Sequence, residues 1–327
     1  MMETKVRSHI GIHDKMDADV GIEVELESNK EDYPRDIQGW NVHNDGSLRY
    51  YGVEYVSIPL KHKDVANSLN SLQKGLSKGS WVDNNPRTSV HVHVNMLDYT
   101  PLQVWTLCTL YWMLEEVLFD ICGNNRKGNV FCMRLCDAEH LIDFCIDDTD
   151  SGRSCFQKLT GDNLRYGALN LQSLLKFGTL EFRGMRGTLD MNGLVNDWVN
   201  LLIDIRDVSF KFKSPSHVLE EFTSVSIEDG ILRHFSRRSI DMLTSSSSEW
   251  RQKIVDNYTY LIPFAYCQEW QTWATNKDKL YSDGGKYANI NNTIRGLDAR
   301  VIIEDDPERM IDAEFIENEL EEEEGDF

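Results

Sequence analysis

The chain lacks the long apolar runs and cysteine patterns that mark membrane and secreted proteins. No stretch of about 18 apolar residues occurs, which is the length a spanning helix needs, and residues 1–19 hold no signal-peptide-like segment. The seven cysteines are odd in number and scattered, and no second pair at zinc-site spacing accompanies Cys132 and Cys136. These absences predict a reduced, cytoplasmic protein without membrane association.

Basic residues are also scarce. The chain has 34 Lys and Arg against 54 Asp and Glu, a net charge of −20. Residues 301–327 carry −12 of this, which leaves −8 for the preceding part and predicts an acidic, disordered tail. No basic stripe is present, so we expect no direct binding to a nucleic-acid backbone. A hydrophobic content of 41% nevertheless fits a folded globular protein.

Residues 21–27 alternate apolar and acidic side chains, which predicts a β-strand with two different faces. One face holds only aliphatic residues, and the other holds Glu23, Glu25 and Glu27. Three glutamates on one face repel each other, and in a partly enclosed site cations must offset that repulsion. We therefore predict that this face binds divalent metal.

Other segments continue this pattern of one polar face per strand. Their polar positions are Glu54 in 53–58, His91, His93 and Asn95 in 89–96, and Glu181 and Arg183 in 178–183. Carboxylates with an imidazole suit Mg²⁺ or Mn²⁺, and arginine suits a phosphate or carboxylate ligand. Taken singly, the histidines fit exposed strand positions, and Glu181 with Arg183 fits a cross-strand ion pair. The combination favours a metal site.

Helical patterns surround these strands. We predict helices over 65–76, from the Thr100-Pro101 start to residue 121, near 138–145, over 194–212 and over much of 215–279, where Pro263 breaks or kinks a helix. A turn at 44–47 joins two short strands. The predicted division is a flexible arm 1–18, a catalytic core 19–212, a mainly helical extension 213–300 packed on the core, and the tail 301–327.

Five short motifs, in a fixed order, resemble the amidoligase family, which is related to glutamine synthetase and glutamate–cysteine ligase. They are Gly-Ile-Glu-Val-Glu at 21–25, Trp40 followed by Asp-Gly-Ser at 45–47, Gly-Val-Glu-Tyr-Val-Ser at 52–57 with Pro59, Ser-Val-His-Val-His-Val-Asn at 89–95, and Thr-Leu-Glu-Phe-Arg at 179–183. The resemblance covers roughly residues 20–210. Two departures are the missing glycine around Thr88-Ser89 and the stretch 122–160, which has no counterpart.

The resemblance implies an α+β fold of the glutamine synthetase type, in which a curved antiparallel sheet packed with helices forms an active-site funnel, with a helical C-terminal part. It also implies ATP- and Mg²⁺- or Mn²⁺-dependent joining of a small-molecule or peptide carboxylate to an amine. The implied metal shell is Glu23, Glu25, Glu54, one of His91 and His93, and Glu181. Arg183 would face the transferring phosphoryl group, and Arg165, Asn170 and Arg186 would lie near substrate or nucleotide. Asp45 or Glu27, at the rim, would accept the amine's proton.

Two other functions remain open at the level of sequence. One is a guanidino-kinase-like ATP phosphotransferase on the same architecture. The other is a non-catalytic interaction protein with a decayed site, whose acidic tail docks a basic partner. The intact set of glutamates, histidines and arginine favours an enzyme.

Overall fold

A six-stranded antiparallel sheet forms the centre of the protein. Its strands are β1 (Val20–Ser28), β2 (Trp40–Asn44), β3 (Tyr51–Ser57), β4 (Ser89–Asn95), β5 (Leu169–Asn170) and β6 (Thr179–Arg186), in the spatial order β2-β3-β1-β4-β6-β5. The computed structural model describes residues 4–13, 16–82, 85–138, 141, 145, 165–224 and 226–266. These residues all lie within the compact unit Met1–Gln271.

Helices accompany the sheet, so the protein is α+β as predicted. They are α1 (Val6–Ile10), α2 (Val65–Leu76), α3 (Pro101–Cys122), α4 (Gln172–Phe177), α5 (Asn196–Ser209), α6 (Pro215–Ser224), α7 (Ile227–Gly230), α8 (Arg237–Ser245) and α9 (Trp250–Ala265). Short 3₁₀ segments lie at His62–Asp64, Asn124–Arg126, Leu135–Asp137 and Leu232–His234, and a π-helical segment, Met191–Val195, precedes α5. No helix in the described ranges is long and apolar enough to cross a membrane.

Helix α3 is the centre of the hydrophobic core. It begins with a capping box, in which Gln103 N donates to Thr100 Oγ1 and Thr100 N donates to Gln103 Oε1. Most of its residues are buried around the whole circumference, as expected for a helix packed on all sides. It packs against α9, α6 and β6, and the ring of Tyr111 meets Phe182 edge-on at 5.1 Å.

The two faces of β1 differ as the alternation predicts. Its aliphatic side chains are at most 3% exposed and share the core with valines of β4. The register places Glu23 opposite His91, Glu25 opposite Glu54, and His93 of β4 opposite Glu181 of β6. Directly paired residues of antiparallel strands lie on one face, so four strands bring their polar side chains together.

Several predicted boundaries change in the structure. Of the predicted break or kink at Pro263, the break was wrong, because helix α9 passes through this residue and ends at Ala265. The predicted arm contains α1, whose Val6 is fully buried and donates its N–H to Tyr99 O at 2.7 Å. Most of the helix predicted near 138–145, and the acidic tail, lie outside the described residues. The four-part division of the chain stays a prediction.

Candidate active site

Glu23 is the residue around which the polar face is built. Its Oε2 lies 3.3 Å from His91 Nδ1, and its Oε1 lies 3.2 Å from His93 Nε2. Burial raises the pKa of Glu23, but the close contacts and charges of the two histidines outweigh this and hold the pKa well below its usual range. Glu23 therefore stays ionised at neutral pH.

The two histidines are held from behind by hydroxyl groups. Ser89 Oγ lies 2.8 Å from His91 Nε2, and Thr179 Oγ1 lies 2.9 Å from His93 Nδ1. These contacts leave His91 Nδ1 and His93 Nε2 directed at the carboxylates, and His91 Nδ1 is also 3.5 Å from Glu181 Oε1. His93 Nε2 is buried yet makes no hydrogen bond of good geometry to any described residue. Such an arrangement is typical of metal-binding imidazoles, whose second nitrogen is fixed by a hydrogen bond.

Glu25 and Glu54 add two further carboxyl groups to the face. Ser89 Oγ donates to Glu25 Oε2, and Glu25 Oε1 lies 3.9 Å from His91 Nε2. Burial and, after it, the charges of Glu23, Glu25 and Asp45 together raise the pKa of Glu54 to about 8. With no cation present, Glu54 thus holds a proton at neutral pH. A divalent cation would replace that proton and relieve the repulsion.

Two sets of possible metal ligands share Glu23. One is Glu23, Glu54 and His91, and the other is Glu23, His93 and Glu181; within each set the donor atoms lie within 4.8 Å of one another. Neighbouring ligands of an octahedral Mg²⁺ are about 3 Å apart, because each lies about 2.1 Å from the ion. The separations of 3.3 Å from Glu23 to His91 and 3.2 Å from Glu23 to His93 are close to that value. The donor set therefore fits Mg²⁺ or Mn²⁺.

Arg183 adds a cation beside the carboxylates. Its Nη1 contacts Glu181 Oε1 and lies 3.5 Å from His91 Nδ1, while its Nε donates to Phe131 O at 3.4 Å. Burial lowers the pKa of Arg183, but the charges of Glu181, Glu25 and Glu23 and the hydrogen bond to Glu181 raise it above its ordinary value. The guanidinium is therefore permanently charged and suited to an anionic group that approaches the metal ligands.

Asn170 and Arg186 contact other parts of the protein. Asn170 Nδ2 donates to Glu181 Oε2 at 2.6 Å, so this residue orients a metal-ligand candidate. Arg186 Nη1 donates to Ile121 O and Cys122 O at 2.9 and 3.0 Å, where the last carbonyls of α3 would otherwise lack donors. A nucleotide contact for either residue stays a prediction.

Asp45 and Arg165 lie at the surface. Asp45 is partly exposed in the β2–β3 turn, where its Oδ1 accepts Ser47 N at 2.8 Å, and its charge acts on Glu54. Arg165 is exposed, and its guanidinium lies 4.5 Å over the ring of Tyr166. The geometry thus connects Asp45 electrostatically to the site. For Arg165 a place near substrate or nucleotide stays a prediction.

Glu27 does not lie at a rim, so that prediction was wrong. Its side chain is fully buried, Arg49 N donates to Oε1 at 2.6 Å, and Asn85 Nδ2 donates to Oε2. Both oxygens are thus used to hold the chain segments before β3 and before β4. Period-two alternation predicts the face of the strand on which a residue lies, but not how deeply that position is buried. This is why the sequence misplaced Glu27.

Two residues near the site escaped the sequence reasoning. His43 of β2 lies opposite Glu54 and thus on the same face, and the alternation of the short strand 40–44 was the signal for it. Arg126 lies in the loop after α3, is 1% exposed, and donates to carbonyls of β6. A loop arginine has no periodic pattern, so no sequence signal distinguishes it from a solvated one.

Comparison with known proteins agrees with this geometry. A family model described as "Putative amidoligase enzyme" matches residues 13–205, which is more than half of the chain and includes every predicted site residue. No curated protein matches the chain. The chain belongs to this amidoligase family, and at that level it is a ligase-type enzyme.

Proposed function

We propose that this protein is an ATP- and Mg²⁺-dependent carboxylate–amine ligase, with a small-molecule or peptide acid and an amine as substrates, and that its sheet forms a funnel of the glutamine synthetase type. The observation that carries the proposal is the pair of three-residue donor sets that share Glu23, with the Arg183 guanidinium beside them. Several carboxylates, buried imidazoles and one arginine on a single sheet face match the needs of phosphoryl transfer, which depends on positioning and charge stabilisation.

The residues divide between metal binding and anion binding. Glu23, Glu54 and His91 would hold one ion, and Glu23, His93 and Glu181 would hold another, with Glu25 near His91 as a further carboxylate. Bound divalent ions would neutralise the ATP phosphates. Arg183, charged and close to Glu181, would bind the transferred phosphoryl group through paired N–H donors.

The reaction needs two steps because a carboxylate is a poor electrophile. A substrate carboxylate oxygen attacks the γ-phosphorus of ATP, an O–P bond forms, and ADP leaves. The amine nitrogen then attacks the acyl carbon, a C–N bond forms, and inorganic phosphate leaves with the C–O bonding pair. Asp45, partly exposed in the β2–β3 turn near Glu54, accepts the proton that the amine loses.

An ADP-release assay with pooled carboxylic acids and amines tests this function. We expect release that requires Mg²⁺ or Mn²⁺ together with both a carboxylate and an amine, and mass spectrometry should find an amide product. Asp45→Asn should lower kcat by about 10²-fold or more, because it removes the proton acceptor while every proposed metal ligand stays in place.

Three results would contradict the proposal. ADP release that needs no divalent ion would exclude the metal shell. Release with a guanidino compound alone, with a phosphorylated product and no amide, would establish the phosphotransferase. Absence of metal and ATP binding would favour a non-catalytic interaction protein.

A further inference from the structure

The register between β4 and β6 is irregular beside the site. Val90 lies opposite Met185 whereas Val92 lies opposite Phe182, so two residue steps on β4 match three on β6. The extra residue forms a β-bulge at Arg183–Gly184. A bulge redirects a side chain and leaves part of the hydrogen-bond ladder unmade. Arg183, the cation next to the metal-ligand candidates, therefore lies within this irregularity.

Arg126 supplies donors to the carbonyls of the bulge. Its Nε donates to Gly184 O at 3.0 Å and its Nη2 donates to Arg183 O at 2.9 Å, while Nη1 donates to Pro86 O at 3.3 Å in the segment that leads into β4. One guanidinium thus holds both residues of the bulge and the approach to the neighbouring strand. A planar fork with fixed N–H directions can do this, whereas an ammonium cannot.

The environment of Arg126 is unusual for a cation. The residue is 1% exposed, and among the described residues its guanidinium donates to backbone carbonyls and to no carboxylate. Burying a charge is costly unless hydrogen bonds compensate for it. The three carbonyls provide that compensation, so the arginine and the bulge depend on each other.

The bulge also packs directly against the end of α3. A Cβ atom built on Gly184 would lie 3.2 Å from both Cys122 Sγ and Phe119 Cε2, which is closer than most real Cβ contacts. Arg126 lies in the 3₁₀ segment that follows α3. The C-terminal turn of α3, Arg126 and the bulge therefore form one packed unit behind Arg183.

We propose that Arg126 is a positioning residue, which clamps the Arg183–Gly184 bulge and so directs the Arg183 guanidinium at the reacting phosphoryl group. The role of Arg183 in this statement rests on the proposed ligase function, whereas the clamp itself does not. A small misplacement of a catalytic group costs about 10²-fold in rate. Loss of the clamp should therefore lower kcat much more than it changes the affinity for substrate.

Arg126→Lys tests the proposal, because it keeps the charge but loses the fork. The matched control is Arg206→Lys, since Arg206 is also a buried arginine, at 7% exposure, but pairs with Asp207 on α5. We expect kcat for ADP release to fall about 10- to 100-fold in Arg126→Lys, with KM for ATP within about threefold of wild type. The Arg206→Lys control should lose stability, but its kcat should not fall selectively while KM for ATP stays the same.

Amide hydrogen exchange over residues 179–187, measured without substrates, examines the clamp independently of activity. We expect exchange to become at least about tenfold faster in Arg126→Lys than in Arg206→Lys, in which it should change only as far as the loss of global stability requires. If the wild-type protein releases no ADP, the proposed function fails, and this exchange comparison alone decides on the clamp.

Gly184→Ala keeps the proposal testable if Arg126→Lys does not fold, because it shifts the bulge without removing the buried charge. We expect the same selective loss of kcat. A folded Arg126→Lys or Gly184→Ala with wild-type kcat would overturn the proposal, as would unchanged exchange over 179–187 in Arg126→Lys.

Discussion

The two ends of the acidic face of β1 look alike in sequence but differ in structure. At one end, the side chain of Glu23 is 24% exposed, and its oxygens face two histidines and a neighbouring carboxyl group. At the other end, Glu27 is fully buried, and one backbone N–H and one side-chain amide use its oxygens. Glu25 lies between these two residues along the strand. Its side chain is 11% exposed, so its burial is also intermediate.

This difference separates an acid that can bind a ligand from one that stabilises the fold. Around Glu23 the imidazoles and carboxylates lie within ligand distance of each other, and the neighbouring negative charges raise the pKa of Glu54. Around Glu27 the charge is met by hydrogen bonds from loops that it holds in place. A carboxylate satisfied in this way gains little from a metal ion, whereas the cluster around Glu23 gains much.

The largest expected effect comes from Glu23→Gln. This change keeps the size of the side chain but removes the charge that both donor sets share. We expect turnover to fall at least about 10³-fold, since every proposed metal position loses its common ligand. Thermal unfolding should show a native fold with a lower midpoint, because the variant loses the favourable interaction of the Glu23 charge with the two histidines. Near-normal turnover in a folded Glu23→Gln protein would show that Glu23 is not the shared metal ligand.

Glu27→Ala should act on stability. The substitution leaves Arg49 N and Asn85 Nδ2 without their buried acceptor, which should lower the free energy of unfolding by about 2–3 kcal/mol. Urea denaturation measures this loss, and Glu27→Gln, which retains one acceptor oxygen, serves as the milder control. A Glu27→Ala protein of unchanged stability would show that this acid is not structural.

Glu115 of α3 is another buried acid, and its contribution to stability should depend on pH. Burial raises the pKa of Glu115 to about 8, although Leu135 N donates to its Oε2 at 2.6 Å. The folded protein therefore keeps a proton that the unfolded chain releases above about pH 4.5. Stability should fall by about 1–3 kcal/mol as pH rises from about 5 to about 8.

Glu115→Gln should flatten this dependence, as measured by urea denaturation at several pH values. Glutamine preserves an acceptor for Leu135 N and carries no titrating proton. A pH profile that stays as steep in the variant as in the wild type would assign the dependence to other groups.

The smallest expected effect concerns Arg186, the last residue of β6. Arg186→Lys should lower the free energy of unfolding by about 1 kcal/mol, because an ammonium satisfies two carbonyls of α3 less well than a guanidinium. The KM for ATP of the same variant examines the predicted nucleotide contact. An unchanged KM would restrict Arg186 to capping the helix, whereas a raised KM would give it both roles.

The sequence predicted the parts of this protein that depend on local pattern. Period-two alternation predicted the strands and the sheet face on which Glu23, His91 and Glu181 lie. The Thr100-Pro101 pair predicted the start of α3. Position within the tertiary structure was not available from such patterns. The burial of Glu27 depends on the loops that cross it, and the clamp by Arg126 depends on a bulge that strand periodicity does not reveal. Pro263 did not end α9, because packing of that helix against α3 outweighs one lost hydrogen bond.

Calorimetric titration with Mn²⁺ of the wild type, Glu23→Gln and Glu27→Gln tests the central claim most directly, since it needs no knowledge of the substrates. We expect the wild type and a folded Glu27→Gln protein to bind Mn²⁺ with similar affinity, and Glu23→Gln to bind it at least about tenfold more weakly. Equal Mn²⁺ affinity in Glu23→Gln and wild type would contradict the assignment of this face as a metal site.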